Sequence, residues 1–186
     1  MKVLQSILLV VAVALVATMS WAAGDVHAVA GAITKVDKAT KTFVLKAMDG
    51  TEHVFKYSEK TAVHDARSAE KEAKKGVLDS YMAGKEGTHA VVHYTGDGAD
   101  KTAVQVDDYG KDALKTSEGT VTKVDKTAHT ISIKTKDGAE ETFHYSRDVA
   151  VETEHGVMKD TKEGEKVTVH YTEKEGKKIA ELFRRL

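Results

Sequence analysis

The chain contains no cysteine and no proline. Without cysteine it has no disulfides, no thiolate metal site and no lipid-modified N-terminal cysteine. Aromatic residues make up only 6%, and the one tryptophan, Trp21, falls in an apolar N-terminal segment. Charge of one sign is also missing. The formal net charge is −1; residues 25–108 carry 14 acids and 12 Lys/Arg, and residues 109–186 carry 15 of each. Neither half has the basic footprint of a nucleic-acid binder. Catalytic signatures are absent as well: no G-x-S-x-G, H-E-x-x-H, P-loop or G-x-G-x-x-G occurs. No pair of acids stands out for acid–base work. The expectation is a non-enzymatic chain with no cofactor.

What is present begins with export. Lys2 supplies a positive start, Val3 to Met19 is almost wholly apolar, and Ser20-Trp21-Ala22 places small residues at the −3 and −1 positions. This pattern predicts a signal peptide over 1–22, cleaved near Ala22. The apolar run is at the short end for a membrane span, and an uncleaved anchor is the alternative. An exported chain without cysteine reads as a bacterial periplasmic or secreted protein, with no stable membrane insertion once the signal is gone.

The rest is a duplication. Gly31–Gly50 (GAITKVDKATKTFVLKAMDG) returns as Gly119–Gly138 (GTVTKVDKTAHTISIKTKDG), with 10 of 20 positions identical. The offset of 88 holds through Phe55, Tyr57 and Ser58, which match Phe143, Tyr145 and Ser146. It then drops to 77: Lys85-Glu86-Gly87 matches Lys162-Glu163-Gly164, and His93-Tyr94-Thr95 matches His170-Tyr171-Thr172. The first copy therefore carries 11 extra residues. Two copies of this length are domains rather than solenoid units. The expected units are 25–108 and 118–186, joined by a linker over 109–117.

Alternation and turn signals order the strands within each copy. Ile33 and Val36, like Val121 and Val124, are three apart, so a β-bulge is expected in the first strand. Phe43-x-Leu45 and Ile131-x-Ile133 form the second strand, and Asp-Gly ends it. A two-residue turn would put Phe55 on the wrong face. A three-residue turn pairs positions 43 and 55, which favours a type I turn with a glycine bulge. Asp65 to Lys75, with Gly76 as a stop, reads as a helix inside an insert spanning 65–84. The fold class is mainly β: two tandem five- to six-stranded OB-like small barrels, with a short helix inserted in the first. Phe43, Leu45, Phe55, Tyr57, Val92 and Tyr94 are the candidate core of one barrel. Their counterparts, from Ile131 to Tyr171, fill the other.

The pattern G-x-(I/V)-x-x-V-D, then D-G-x-E-x-x-F, then K-E-G-x-x-(A/V)-x-V-x-Y resembles bacterial exported small-barrel domains of unknown function. It also looks distantly like the periplasmic copper/silver chaperone barrel, whose family binds Cu(I) through a Met pair and a His beneath a Trp. That likeness implies thioether ligands here. The chain departs from it: Met48 has Lys136 as its counterpart, His53 has Glu141, and Trp21 lies in the leader.

Nine histidines remain. His89 and His93, four apart on a strand, share a face but sit ~13 Å apart, too far to hold one ion. Outward, solvent-facing positions are expected for them. His93 and His170 are the one pair at matched positions, and Glu154-His155 lies near the shortened loop of the second copy. These five, His89, His93, His170, His155 and Glu154, are the candidate metal ligands. The functional expectation is an exported binding or scaffolding protein acting on an unknown envelope protein or small ligand. The alternative is periplasmic metal-ion binding through surface histidines and carboxylates.

Overall fold

The computed structural model describes residues 26–67, 74–75, 77–111, 113–151 and 161–186, with side chains omitted at 75 and 147–151. The expected signal, 1–22, lies outside the described residues. The first copy forms β1 (His27–Asp37), β2 (Thr42–Ala47), β3 (Glu52–Lys56), β4 (Ala62–Asp65), β5 (Lys74–Lys75), α1 (Leu78–Tyr81), β6 (His89–Thr95) and β7 (Thr102–Gly110). The second forms β8 (Lys115–Asp125), β9 (Thr130–Thr135), β10 (Glu140–Val151), β11 (Lys166–Lys174) and β12 (Lys177–Arg185). The class is as expected, mainly β with two small barrels.

Both sheets close on themselves. The first runs β3-β2-β1-β6-β7-β4-β5, and β3 also pairs with β7; the second is a closed barrel, β10-β12-β11-β8-β9. Each closure is parallel, β3 and β4 against β7 in one case and β10 against β12 in the other. All the remaining pairings are antiparallel, which gives the strand order of an OB-type barrel. The strand that β10 makes in one piece is made by β3 and β4 in two.

The repeated residues build this closure. The register of β1 on β2 slips between Ile33 and Lys35, and that of β8 on β9 between Val121 and Lys123. These are the expected bulges, and they bend the first strand so that it can serve two neighbours. Beside each bulge a glycine meets the next strand's backbone. A Cβ on Gly119 would lie 2.6 Å from the Lys134 carbonyl oxygen, and one on Gly31 would overlap the Lys46 carbonyl. Asp37 accepts hydrogen bonds from the Ala39 and Thr40 N–H groups, and Asp125 accepts them from Thr127 and Ala128. The repeated Val-Asp is thus the start of a turn. Phe43 pairs with Phe55 and Ile131 with Phe143, across turns whose glycines, Gly50 and Gly138, have φ of 87° and 88°. The three-residue turn is the one observed.

Phe43, Leu45, Phe55 and Val92 fill the first barrel, with Tyr94 half-buried against them. Ile131, Ile133, Phe143, Tyr145, Val169 and Tyr171 fill the second.

Two expectations are corrected. Asp65 is no helix cap: it ends β4, which lies along β7 from Ala62 opposite Gln105 to Asp65 opposite Asp108. Lys74 and Lys75 return as β5 against β4, and residues 68–73 lie outside the described residues. The helix is a single turn beyond Gly76, at Leu78–Tyr81. Pairing to a sheet edge prevails over local helix propensity, which is only a weak prior. The expected linker, 109–117, is strand at both ends, because β7 runs to Gly110 and β8 begins at Lys115.

A third apolar cluster joins the barrels: Ala28, Ala30, Val91, Tyr109, Leu114 and Leu182. Each strand residue among them points outward from its own barrel. Arg184 of β12 reaches Asp49 of the β2–β3 turn at 3.0 Å, and the Tyr109 hydroxyl donates to Glu181 at 3.2 Å.

Gly119→Ala is expected to cost about 2–3 kcal/mol through backbone overlap. Gly138→Ala, where nothing lies within 4 Å and only the positive φ opposes it, is expected to cost about 1 kcal/mol. Urea unfolding of both variants checks this; equal losses would refute the close-approach account.

Candidate functional site

The described histidines do not form one centre. His89 Nδ1 lies 2.7 Å from the Lys111 carbonyl oxygen. His93 is on the outer face of β6, as alternation requires, but it is not simply solvated. Its Nε2 lies 2.9 Å from Asp107 Oδ2, while His64 Nδ1 lies 3.4 Å from Asp107 Oδ1 and the Gln105 amide donates to Asp107 at 2.8 Å. Register explains the grouping, since Gln105 sits opposite His93 and Asp107 opposite His64. Asp107 is therefore a shared acceptor for His93 and Gln105, with His64 at ion-pair distance.

His170 occupies the matched position in β11, and there the expectation of a solvent-facing ring fails. It is 4% exposed. Thr168 and Thr172 also face outward and are buried too. The physical reason is the second barrel's position in the seam. His170 lies directly opposite Leu182, and opposed residues on antiparallel strands share a face. Its Nδ1 meets the Thr116 hydroxyl at 3.0 Å. Burial, reinforced by the Arg184 charge, pushes the His170 ring down to about 4. His155 and Glu154 lie outside the described residues. Among the described residues no group of three or more His, Cys, Asp and Glu side chains converges on a possible metal position.

The place where the copper-chaperone likeness implies a metal can be tested directly. Met48 is exposed at 54% on the β2–β3 turn. His53, in β3, accepts a hydrogen bond at Nδ1 from the Lys101 ammonium, 2.8 Å away. Burial, then the Lys101 charge, lowers its affinity for a proton, and Arg184 adds to this. In the second barrel the same place holds Glu141 and Lys178, 2.5 Å apart. A soft cation needs thioethers and a free imidazole nitrogen. This site offers one exposed thioether and an imidazole already engaged by an ammonium, so the residues do not fit Cu(I).

Sequence reasoning missed Asp108, which is 1% exposed in β7. Burial would raise its carboxyl, but Lys85 at 2.9 Å, the Gly110 N–H at 2.7 Å and the Tyr81 hydroxyl at 2.8 Å outweigh burial and hold it below the usual range. Through these bonds Asp108 ties α1 and the loop before β6 to the barrel. A signal was available: at offset 77, Asp107 and Asp108 become Arg184 and Arg185. Also unforeseen is a cleft of about 350 Å³ between the barrels, lined by residues from the turn after β4, the end of β7, the connector, β8 and β11.

No family model matches the chain, and no curated protein matches it. Among solved structures, apo-CusF from Escherichia coli is similar at 14% identity, over 39% of this chain and 87% of that chain, with a TM-score of 0.32. A copper(II)-bound CusF variant from Escherichia coli is similar at 13% identity, over 42% of this chain and 98% of that one, with a TM-score of 0.34. Both likenesses are distant.

His170 makes stability depend on pH. Its folded value lies near 4 against an ordinary 6.5, so between these values the unfolded chain binds the extra proton. Stability should be fully present above about pH 6.5 and fall toward pH 4, by up to about 3 kcal/mol from this ring. In His170→Gln that part of the slope should vanish, leaving the contributions of His53, whose proton affinity is also lowered, and of the carboxylates. Identical pH profiles for the two proteins would refute the assignment.

Proposed function

We propose that the chain is an exported, non-enzymatic binding protein of the bacterial envelope, which presents two barrels as one joined surface. The observation that carries this is the apolar seam of Ala28, Ala30, Val91, Tyr109, Leu114 and Leu182. Both barrel interiors are filled by side chains, so a ligand has to be met on the outside. The seam then converts two small surfaces into a larger one with a cleft along it. OB-type barrels bind on outer strand faces and flanking loops, and that analogy concerns fold alone. Export rests on the N-terminal pattern, and no helix among the described residues is long and apolar enough to cross a membrane.

The test is recovery from the native envelope, with mass spectrometry for co-purifying proteins, small molecules and metals. A mature N-terminus just after Ala22, together with a stoichiometric partner or ligand, is the expected result. Full-length chain retained in the cytoplasm would overturn export, and repeated recovery of the chain alone would overturn binding. Leu182→Glu, which puts a charge into the seam, should reduce partner recovery while each barrel keeps its own far-ultraviolet circular dichroism.

A further inference from the structure

We propose that the cleft between the barrels binds a small amphiphilic anion, an acid group such as a carboxylate, phosphate or sulfonate carried on an apolar body. This rests on the reading of the chain as a binding protein and names the chemical class of its ligand.

The cleft, at about 350 Å³, lies at the small end of small-molecule sites. Apolar surface comes from Ala66, Ala113 and the Tyr109 ring, and cations come from Arg67, Lys115 and Lys174. The three cations belong to three separate stretches of chain: the turn after β4, the start of β8 and the end of β11. They converge only because the seam brings the barrels together.

Glu173 lines the cleft as well, and it and the described acids beside it, Glu181 and Asp65, are engaged. Both oxygens of Glu181 are used, one accepting from Tyr109 at 3.2 Å and the other from Thr172 at 2.7 Å. Glu173 pairs with Lys115 at 2.8 Å, and Asp65 binds the Arg67 guanidinium through both oxygens at 3.0 Å. Lys174 is different. Among the described residues it has no carboxylate within ion-pair distance, and it stands opposite Lys177 across the β11–β12 hairpin. Like charges directly opposed on paired strands are destabilising, and a bound anion relieves that repulsion.

The duplication supplies an internal comparison. The equivalent hairpin of the first barrel does not line the cleft, and it carries Asp97 and Asp100 where the second has Lys174 and Lys177. The positive charge is therefore not a general property of this hairpin. It occurs in the copy whose hairpin borders the cleft.

The experiment titrates the purified protein with 1-naphthalenesulfonate, followed by amide NMR shifts. Saturable shifts centred on Ala66, Tyr109, Ala113, Lys115 and Thr172 are expected. Sulfate alone should bind at least about tenfold more weakly, and Lys174→Glu should weaken naphthalenesulfonate about tenfold. Ala113→Phe, which fills the cleft and leaves every charge in place, should weaken it as well. Each variant is first shown to keep the wild-type spectrum away from the cleft. Shifts centred elsewhere, affinity unchanged in both variants, or equal affinity for sulfate would each overturn the proposal. So would the lack of saturable shifts, and the envelope recovery experiment would then decide the wider binding reading by itself.

Discussion

The close approach of two backbones at Gly31 and Gly119 is the constraint on which both barrels depend. The first strand of each copy must pair with the second strand on one side and the fourth on the other. A strand that does both in a small closed sheet has to bend, and bending brings its inner backbone against its neighbour. At these two places no side chain fits. The bulge lies two to four residues further on and restores the inward direction of the apolar residues, so that Ile33 and Val36, three apart, both meet the core. Glycine, bulge, Val-Asp turn and Asp-Gly turn form a single device for closing a barrel. That is why they recur together at an offset of 88.

Much of the outer surface, by contrast, has diverged. Several positions that face outward in both copies carry different chemistry. Val91 corresponds to Thr168, Gln105 to Leu182, and Asp107 to Arg184. Val44 and Val54 face each other on β2 and β3, while their counterparts Ser132 and Thr142 hydrogen-bond at 2.9 Å. The seam draws on this divergence. It takes the β1–β6–β7 outer face from the first copy and Leu182 of β12 from the second. Because the two contributions differ, the contact pairs unlike surfaces rather than symmetric ones.

The inside of each barrel was legible in the sequence and the outside was not. Period-two alternation reports which residues share a face, and parity alone decided the turn at Gly50. Alternation placed His93 outward, and its match His170 shares that orientation. It could not say whether an outward face meets water or another domain, and that difference leaves His93 bonded to Asp107 and His170 shut in beside Leu182. The insert failed for a related reason. Asp65 through Lys75 has the composition of a helix, yet β7 continues past the core and offers a free edge, and β4 takes it. Pairing partners distant in sequence leave no local trace.

These same limits say where chemistry can reside. Among the described residues, buried side chains fill both interiors, and the place that would correspond to a copper site is held by Lys101 against His53, or by Lys178 against Glu141. An ammonium at that position in both copies makes it a structural pair, with a neutral partner in one barrel and an ionised one in the other. What remains distinctive is the surface produced by joining the barrels. Asp108 matters here although it touches no cleft volume itself: it sets the end of β7 and, with Asp65, helps to hold Arg67 in place. Arg67 then packs over Gly110, where a Cβ would meet its guanidinium at 2.9 Å. The cleft wall is thus an extension of the barrel's own hydrogen bonding, and its charge is fixed by the same residues that tie the insert down.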